Sequence, residues 1–402
     1  MTSANDVIEA PSRIEPARLD DPPAIVADLA AELAAKSAVL GAKLHPLTAA
    51  NLASLVRVMN TYYSNLIEGH DTRPRDIERA LAGDFDQHQG RRNLQREAAA
   101  HMRVQARIDR QAAAGTLPEP ASAEFLKGVH TDFYVDAPEE FLRVGSGDRA
   151  FKMTPGEWRS AGGEDVSVGR HLPPSSERVA DFMAYFEERF RFARLGQAAR
   201  IFAMAGAHHR FNYIHPFPDG NGRVSRLMSH AMAAAAGVGA HGLWSISRGL
   251  ARGLESRADY MRMMDHADMQ RQGDLDGRGN LSLRALTDFT VWFLTVCIDQ
   301  IDFMSGLFAL ETLNARLGAF VARSQALKPE AHRLLEEALI RGEFDRGGAP
   351  RITGLPERSA RRVLNDVIAA GLLASETPKG PVSLRFPTAT LELLFPRLYP
   401  ET

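Results

Sequence analysis

The chain has 402 residues, of which 45% are hydrophobic and 24% charged, an ordinary globular composition with room for two to three domains at about 150 residues each. Lys and Arg (48) nearly balance Asp and Glu (50), so the net charge of −2 excludes a bulk electrostatic attraction to nucleic acid or to an anionic membrane. Cys297 is the single cysteine, which excludes an intramolecular disulfide or a cysteine-rich zinc site and fits a reducing compartment.

The first segment, residues 1–21, is acidic and interrupted by proline. A signal peptide needs a basic start and an apolar run, and a membrane span needs about eighteen or more apolar residues, neither of which is found in the sequence. We therefore expect a cytoplasmic protein with no membrane partner. Residues 1–21 are predicted to form an arm that becomes ordered only by docking.

Helical periodicity dominates the chain after this arm and predicts a mostly α protein. Apolar residues recur at intervals of three and four in segments 24–39, 47–67, 74–84, 93–114, 119–134, 176–194, 197–212, 222–236, 248–266 and 281–319. The exception is residues 139–174, where the β-prone pieces Phe141–Val144 and Val166–Val168 lie among glycines and a Pro-Gly turn. This stretch predicts a β-hairpin on a long loop.

A second unit is predicted over residues 327–402. Its pattern contains, in order, a helix (Pro329–Arg341), a break, a short helix, the turn Thr353–Pro356, a basic helix (Glu357–Ala370) with Arg358, Arg361 and Arg362, and a β-prone pair interrupted at Pro378–Pro381. Three helices with a tight turn before the third, closed by a two-stranded wing, are typical of a winged helix-turn-helix domain. DNA and protein are both candidate partners of this unit.

The segment with the most chemistry is HHRFNYIHPFPDGNGRVSR, residues 208–226. It follows a periodic helix, passes through two prolines that forbid helix, and re-enters a helix after Gly222. The turn formed by residues 219–222 therefore directs backbone N–H groups outward at a helix N-terminus, which is a geometry that binds phosphate.

Charged side chains in the same segment favour a polyphosphate ligand. Arg223 and Arg226 lie three residues apart in the first helical turn, where cations oppose the helix dipole unless an anion lies between them and the helix. Asp219 offers the carboxylate that Mg²⁺ between phosphates requires, and His215 has the pKa range of a general base. Each feature alone is compatible with a turn, a cap or a solvated arginine pair, but their order within residues 215–226 favours a site.

The sequence HPFPDGNGRVSR resembles the motif of the Fic family, HPFx(D/E)GNGRxxR, at every defined position. Residues 155–174 are similar to the family's flap, and the likeness extends over roughly residues 45–320. The resemblance implies a Fic-type helical core with a β-hairpin flap over residues 116–320. A helical region, residues 22–115, would precede this core and the winged helix would follow it.

The resemblance also implies a protein adenylyltransferase, which transfers AMP from ATP to a Ser, Thr or Tyr hydroxyl of a target protein and releases pyrophosphate. ATP and Mg²⁺ are the implied cofactors. In this likeness His215 takes the proton from the target hydroxyl, Phe217 anchors the loop in the core, and Asp219 holds Mg²⁺.

Three groups of residues are implied to bind the nucleotide. The backbone amides of Gly220, Asn221 and Gly222 would receive phosphate oxygens, while Arg223 would bind the α and β phosphates and Arg226 the γ-phosphate. In the flap, which would bind the target as an added β-strand, the residues near both target and nucleotide are Val168, Gly169 and His171. Tyr260 falls where the family places an aromatic residue at the adenine.

A second motif, Ser64-Asn65-Leu66-Ile67-Glu68-Gly69, ends a strongly apolar helix. Alone it indicates a helix that ends at a glycine cap with a solvated Glu68, although an acid is unfavourable near a helix C-terminus. With the resemblance, it is similar to the family's inhibitory (S/T)xxxE(G/N) helix. Glu68, helped by Ser64, would then pair with Arg226 and block the position of the γ-phosphate.

Two alternatives stay open. The first is a DNA- or partner-binding regulator whose Fic core only senses nucleotide. The second is a Fic variant that removes AMP or transfers phosphate, although the intact Gly222 and Arg226 favour AMP transfer, since phosphate transfer in this family accompanies a changed last position of the anion hole. The sequence names no target protein and leaves a homo-oligomer open.

Overall fold

The computed structural model describes residues 9–70, 72–147, 150–169 and 171–399. Residues 1–8 of the expected arm and Arg170 in the expected flap lie outside the described residues. The helices are α1 (Ala24–Ala42), α2 (Pro46–Ile67), α3 (Pro74–Leu81), α4 (Gln89–Ala113), α5 (Ala123–Tyr134), α6 (Val179–Phe190), α7 (Gln197–Ile214), α8 (Asn221–Ala235), α9 (Ile246–Arg252), α10 (Asp259–Ala267), α11 (Leu283–Leu307), α12 (Leu310–Arg323), α13 (Ala331–Arg341), α14 (Ala349–Thr353), α15 (Glu357–Ala369) and α16 (Leu391–Leu394). The prediction of a mostly α protein is confirmed.

Helix α7 lies at the centre of the fold and contacts α1, α6, α8 and α11. Its residues from Ile201 to Phe211 are all buried, which is the pattern of a helix surrounded by protein on every side. Small residues permit this close packing: a Cβ on Gly206 would lie 2.7 Å from the carbonyl oxygen of Ala17. Helix α8 packs beside α7 and is covered by α4 and α5, so the segment between α7 and α8 is held by rigid helices.

Two of the predicted helices are wrong in their extent. The segment 248–266 is divided into α9 and α10 because Gly253 adopts a positive φ of 66°, and the Asp259 carboxylate then accepts hydrogen bonds from the N–H groups of residues 254–256 at 2.8–3.2 Å. The segment 281–319 is divided into α11 and α12, which are bent by 51°. Among the described residues no single helix is long and apolar enough to cross a membrane, and α11 with α12 meets that length and composition only as this bent pair.

The glycine-rich stretch between α5 and α6 contains the predicted hairpin in a shorter form. Strand β1 (Arg143–Val144) pairs antiparallel with β2 (Phe151–Lys152), and the preceding residues, Glu139–Leu142, form a 3₁₀ turn where a strand was expected. The second β-prone piece makes a single antiparallel bridge between Val168 and His171. The flap segment is therefore a series of tight turns.

The C-terminal region follows the predicted order of elements, with one addition. A three-stranded antiparallel sheet has the order β3-β5-β4, formed by β3 (Glu343–Phe344), β4 (Leu373–Ala374) and β5 (Val382–Leu384). Strand β3 lies in the segment after α13 for which the sequence predicts a break. Gly354, with φ of 73°, ends α14 and allows the sharp turn into α15. The winged-helix assignment stays a prediction.

This C-terminal region packs against α2, the helix that ends in the second motif. The Thr48 hydroxyl donates to Leu339 O (3.0 Å) and the Tyr63 hydroxyl donates to Leu398 O (3.0 Å). Arg385 also donates to the Asn51 side chain (3.2 Å). Helices α3, α4 and α9 also contact α2, and buried residues of all these elements belong mainly to one continuous hydrophobic cluster, so α2 is held from both parts of the chain.

The described part of the N-terminal arm is docked on the central helices. Ile14, Ala17 and Leu19 are buried, and the Arg210 guanidinium donates to Pro16 O at 2.8 and 3.2 Å. The Leu281 N–H donates to Glu15 O (2.8 Å). Apolar side chains and backbone hydrogen bonds thus both fix residues 9–19 against the core.

Replacing Ile14 by alanine tests this docking. The substitution removes a fully buried side chain, and truncations of this kind destabilise by about 2–5 kcal/mol because the cavity left behind adds to the cost of removing buried apolar atoms. Urea denaturation measures the free energy of unfolding. Asp21→Ala, at an exposed position of the same segment, is the control and should stay within about 0.5 kcal/mol of the parent. Equal stability of both variants would contradict the docked arm.

Candidate active site

His215 occupies the residue directly after α7. Its backbone is left-handed, with φ of 51° and ψ of 60°, while its N–H still donates to Phe211 O (2.9 Å). Pro216 follows and prevents a further helical turn. A non-glycine residue in this region is uncommon and persists where its surroundings enforce it. The imidazole is therefore presented at the end of a buried, rigid helix.

The environment of His215 favours the neutral imidazole. Burial, together with the nearby charges of Arg159 and His171, lowers the pKa of His215 to about 4, although the Asn212 carbonyl and Asp219 oppose the shift. At neutral pH the ring therefore carries no proton on one nitrogen and can accept one, which a general base requires.

The loop after His215 is held by Phe217 and Asn221. The Phe217 ring is fully buried and stacks on His130, with ring centres 3.9 Å apart and an angle of 14° between the planes. The Asn221 amide donates to Phe217 O (2.7 Å) and accepts from Phe217 N–H (2.9 Å). Phe217 is therefore packed in the core, and the Asn221 side chain holds the loop by two hydrogen bonds to the Phe217 backbone.

Asp219 is exposed at the tip of this loop, and two side chains of α5 orient it. The Tyr134 hydroxyl donates to Asp219 Oδ2 (3.2 Å), and His130 Nε2 lies 3.2 Å from Asp219 O. Since Gly156 N–H donates to His130 Nδ1 (2.8 Å), the His130 proton is assigned to Nε2, which donates to the Asp219 carbonyl. Both contacts leave Asp219 Oδ1 available.

A metal ion at this site would take one carboxylate from the protein. The described ranges contain no group of three or more His, Cys, Asp and Glu side chains placed to hold a metal. Mg²⁺ commonly binds one or two carboxylates and completes its shell with phosphate oxygens and water. The single oriented carboxylate of Asp219, next to a helix N-terminus, fits that mode.

The N-terminus of α8 presents backbone donors beside a carboxylate. Gly220 has φ of 79°, and the first backbone hydrogen bond of the helix joins Val224 N–H to Gly220 O (3.0 Å). The amides of residues 221–223 precede that ladder and lie at the positive end of the helix dipole. A Cβ on Gly222 would lie 2.4 Å from Glu68 Oε1, so the Glu68 carboxylate approaches this helix end as closely as a glycine allows.

Arg226 is paired with the end of α2. Its Nη2 lies 2.6 Å from Glu68 Oε1 and 3.2 Å from Ser64 O, and its Nε donates to Ser64 Oγ (2.9 Å). Arg226 is 1% exposed and the Glu68 side chain 32%. Burial alone would raise the pKa of Glu68, but the charges of Arg226 and Arg223 lower it below its ordinary value. The structure therefore brings the three predicted residues together, with Glu68 ionised.

Arg223 has its own acidic partner, which sequence reasoning missed. Its Nη2 lies 3.2 Å from Glu97 Oε1 of α4, and its guanidinium lies 5.3 Å from the centre of the Phe133 ring. His70 Nδ1 lies 2.9 Å from Glu97 Oε2. Burial would lower the pKa of Arg223, but Glu97 and the other acidic groups raise it above its ordinary value. The two motif arginines are thus both cationic and both paired with carboxylates.

The flap residues form a tight turn next to α7 and α10. Val168 and His171 exchange backbone hydrogen bonds of 3.0 and 2.9 Å across Gly169, which has φ of 60°. His171 Nε2 donates to Tyr213 O (2.7 Å), and its Nδ1 lies 3.3 Å from Asp268. The flap is therefore attached to the helix that ends at His215.

Comparisons with known proteins agree with this geometry. A model of the Fic/DOC family matches residues 122–233, from the cap of α5 into α8. The chain carries a Fic domain. The "Protein adenylyltransferase Fic" of Drosophila erecta and that of Drosophila melanogaster are each 38% identical to it over 82 residues, which cover 20% of this chain and 16% of each relative. The crystal structure of a Fic family protein from Desulfovibrio desulfuricans G20 has the same fold, with a TM-score of 0.53 at 17% identity over 91% of this chain and 97% of that chain.

The Fic motif of this chain lies wholly inside the matched range, so the resemblance to the family is confirmed. The chain spans 16% of the length of those curated relatives. The range matched by the family model excludes α2 with Glu68 and the C-terminal region. The roles of individual residues stay predictions.

Tyr260 lies in α10 and is buried. Its hydroxyl lies 2.9 Å from His208 Nε2, and its ring is nearly parallel to that of Trp292 at 6.4 Å. His208 in turn contacts Ser229 Oγ through Nδ1 (2.9 Å). These contacts make Tyr260 part of the packing under Arg226, and its role at the adenine stays a prediction.

The sequence did not predict four residues that contact the Fic motif, residues 215–226: Glu97, His130, Tyr134 and Arg159. Glu97, His130 and Tyr134 lie in helices for which the sequence predicts only an apolar periodicity, and Arg159 lies in the predicted flap. One pattern could have indicated a pair of them: His130 and Tyr134 are four residues apart and share one helix face. The other two meet the loop through tertiary packing that no local pattern encodes.

The titration of His215 tests the electrostatics of the site. With a pKa of about 4, the imidazole should stay neutral at every pH from 8 down to about 5, well below the ordinary midpoint near 6.5. Histidine NMR titration measures this, with His215→Gln used to assign the resonance. A midpoint near 6.5 would contradict the burial of the ring and the effect of Arg159.

Proposed function

We propose that this protein is an ATP- and Mg²⁺-dependent protein adenylyltransferase that modifies a Ser, Thr or Tyr hydroxyl of a target protein. One observation carries the proposal: a neutral His215, the Asp219 carboxylate and the donor-rich N-terminus of α8 converge within a single loop of a Fic domain. The curated relatives that match 82 residues of this chain are named protein adenylyltransferases, which supports the same reaction class.

In the proposed reaction one bond forms, one bond breaks and one proton moves. The target hydroxyl oxygen attacks the α-phosphorus of ATP, its proton passes to His215, and the bond from the α-phosphorus to the bridging oxygen breaks to release pyrophosphate. Asp219 would hold Mg²⁺, which neutralises phosphate charge when bound. The amides at the start of α8 and Arg223 would fix the phosphates, since catalysis of such transfers depends on positioning and on charge neutralisation.

Binding of the target would use the flap. The turn around Gly169 offers backbone groups to an extended segment, and backbone pairing of this kind recognises strand geometry with little dependence on side chains. Because His171 of the flap is hydrogen-bonded to α7, a bound strand would lie at a fixed distance from His215. The identity of the target is then set by contacts outside the flap.

Glu68 would inhibit this reaction. Its carboxylate lies on Arg226, where the γ-phosphate would bind, so ATP could still be bound by the α8 amides and Arg223 while its γ-phosphate lacks a partner. The α-phosphorus would then be misaligned for attack. Misalignment of this kind reduces the rate far more than it reduces affinity.

Replacing Glu68 by glycine should raise self-modification by AMP well above the wild-type level, with only a modest change in ATP affinity, because Arg226 becomes free for the nucleotide. Adding Arg226→Ala should abolish the gain. Mass spectrometry after incubation with ATP and Mg²⁺ measures the adduct. Glu376→Gly, which removes an exposed acid of the β4–β5 loop, is the matched control and should behave as wild type. A Glu68→Gly protein no more active than wild type would refute the inhibitory role.

In the Glu68→Gly background, His215→Ala should reduce transfer by about 10²-fold or more while ATP binding is retained, because general base catalysis contributes that much. Asp219→Ala should instead weaken the binding of Mg²⁺-ATP, with partial rescue by excess metal. Radiolabel transfer and calorimetry separate the two effects. An adduct with the mass of phosphate, or loss of AMP from a modified protein, would favour the variant reactions over adenylylation.

A second proposal concerns a partner of the C-terminal region. Helix α15 follows a short helix and a sharp turn, and it exposes Arg358, Arg361 and Arg362, of which Arg361 pairs with Glu357 at 2.8 Å. A basic helix in this arrangement can enter the major groove of a DNA duplex. The exposed arginines are suited to a DNA partner, and because the chain as a whole is not basic a protein partner stays the alternative.

Duplex binding by the full chain should therefore fall steeply with salt. Replacing the three exposed arginines of α15 by alanine should reduce the slope of log affinity against log salt by about 0.9 for each phosphate that the helix no longer neutralises. Fluorescence anisotropy over a range of salt concentrations measures it. Absence of salt-dependent binding by the wild-type chain would exclude DNA and leave a protein partner.

A further inference from the structure

Arg159 is a buried cation where the flap meets the loop between α7 and α8, residues 215–220. It is 1% exposed. Its Nε donates to His215 O (2.8 Å), its Nη2 donates to Ile214 O (3.1 Å) and Pro174 O (2.5 Å), and its own N–H donates to Pro216 O (2.9 Å). Three consecutive carbonyls around His215 are thus bound by one flap residue.

These carbonyls need such a partner for a general reason. The last carbonyls of a helix have no intrahelical donor and carry the negative end of its dipole. Many helices solve this with a left-handed glycine that allows local backbone bonds, but here the left-handed residue is His215 itself. The Arg159 guanidinium supplies both the missing donors and a compensating positive charge.

The carboxylate next to Arg159 is too distant and too exposed to explain its burial. Asp165 Oδ1 lies 3.6 Å from Arg159 Nη1, and the same oxygen accepts hydrogen bonds from the Ser176 N–H and hydroxyl. Burial lowers the pKa of Arg159 to about 10, so it is still cationic at neutral pH. Burying a charge that is mostly satisfied by backbone carbonyls is costly. Because simpler polar groups could cap a helix, capping alone does not account for a buried arginine at this position.

We infer that Arg159 is a positioning residue for the transfer reaction: it holds the peptide groups on both sides of His215 and joins them to the flap, so that base and target strand keep one geometry. The inference rests on the proposed role of His215. It adds a residue outside the Fic motif whose removal would affect the chemical step through His215, while Arg159 itself need not touch nucleotide or target.

The charge of Arg159 also acts on the His215 ring. The groups that face this ring are Arg159 and His171 from the flap, Asp219 from the loop and the Asn212 carbonyl of α7. Arg159 disfavours the protonated imidazole, whereas Asp219 and the carbonyl favour it. Removing the guanidinium therefore moves the pKa of His215 upward, towards the ordinary value of about 6.5.

Two substitutions in the Glu68→Gly background test the inference. Arg159→Met keeps a long side chain without donors or charge, and we expect kcat to fall by at least about tenfold with KM for ATP nearly unchanged, since a misplaced group costs rate more than binding. The acid limb of the pH profile and the NMR midpoint of His215 should both rise, towards the ordinary value of about 6.5. Arg159→Lys keeps the charge with a single donor centre, so it should restore the midpoint but not kcat.

Arg178→Met is the matched control, because Arg178 is a half-exposed arginine after the same flap, paired with Asp181 at 3.0 Å, and lies outside the site. It should leave both readouts unchanged. If Arg159→Met is too unstable to study, the Arg159→Lys variant still tests the inference through its separation of kcat from the midpoint. An unchanged kcat and His215 midpoint in a folded Arg159 variant would overturn it.

The design also separates this inference from the proposed function. If the Glu68→Gly parent transfers no AMP to any protein, the proposed adenylyltransferase fails. The NMR midpoint of His215 in Arg159→Met needs no activity, and an unshifted midpoint would overturn the link between Arg159 and His215 by itself.

Discussion

Two helix termini of opposite partial charge meet within six residues, and the rest of the site depends on their neutralisation. The last carbonyls of α7, which ends at Ile214, have no donor within the helix. The first amides of α8, which begins at Asn221, have no acceptor within the helix. On the carbonyl side the partner is the buried Arg159 guanidinium. On the amide side it is the Glu68 carboxylate, which approaches Gly222 and pairs with Arg226. The loop between them has little freedom, because Phe217 and Asn221 fix it from inside.

A carboxylate on the amide side has the same chemistry as a phosphate oxygen, which is why Glu68 can occupy the position proposed for the nucleotide. The helix that carries Glu68 is itself held by several elements, since α3, α4 and α9 contact α2 and so does the C-terminal region. Displacement of Glu68 therefore affects a helix that several other elements contact. Its side chain is a third exposed, so solvent weakens the ion pair and makes exchange with a phosphate feasible.

Apolar spacing in the sequence predicted the ends of α2, α7 and α8 to within about two residues. It failed where a single residue changed the backbone: Gly253 ended a helix that apolar spacing alone would have continued through residue 266. Strand β3 is too short to leave a pattern. Within the site, residues that are contiguous in the motif were predicted, and so was the approach of Glu68 to Arg226 through the family resemblance. The sequence did not predict the contacts of four further residues with the motif, because these contacts arise from packing between distant elements. The four residues are Glu97, His130, Tyr134 and Arg159.

The central claim is that the Glu68 carboxylate occupies the place of the ATP γ-phosphate on Arg226. Calorimetry of ATP and ADP binding, in wild type, Glu68→Gly and Glu68→Gly/Arg226→Ala, tests it most directly. The account predicts that wild type binds ATP and ADP almost equally, that Glu68→Gly gains a modest preference for ATP over ADP, and that the double variant loses this preference. A wild-type protein that prefers ATP over ADP as strongly as Glu68→Gly does would contradict the claim.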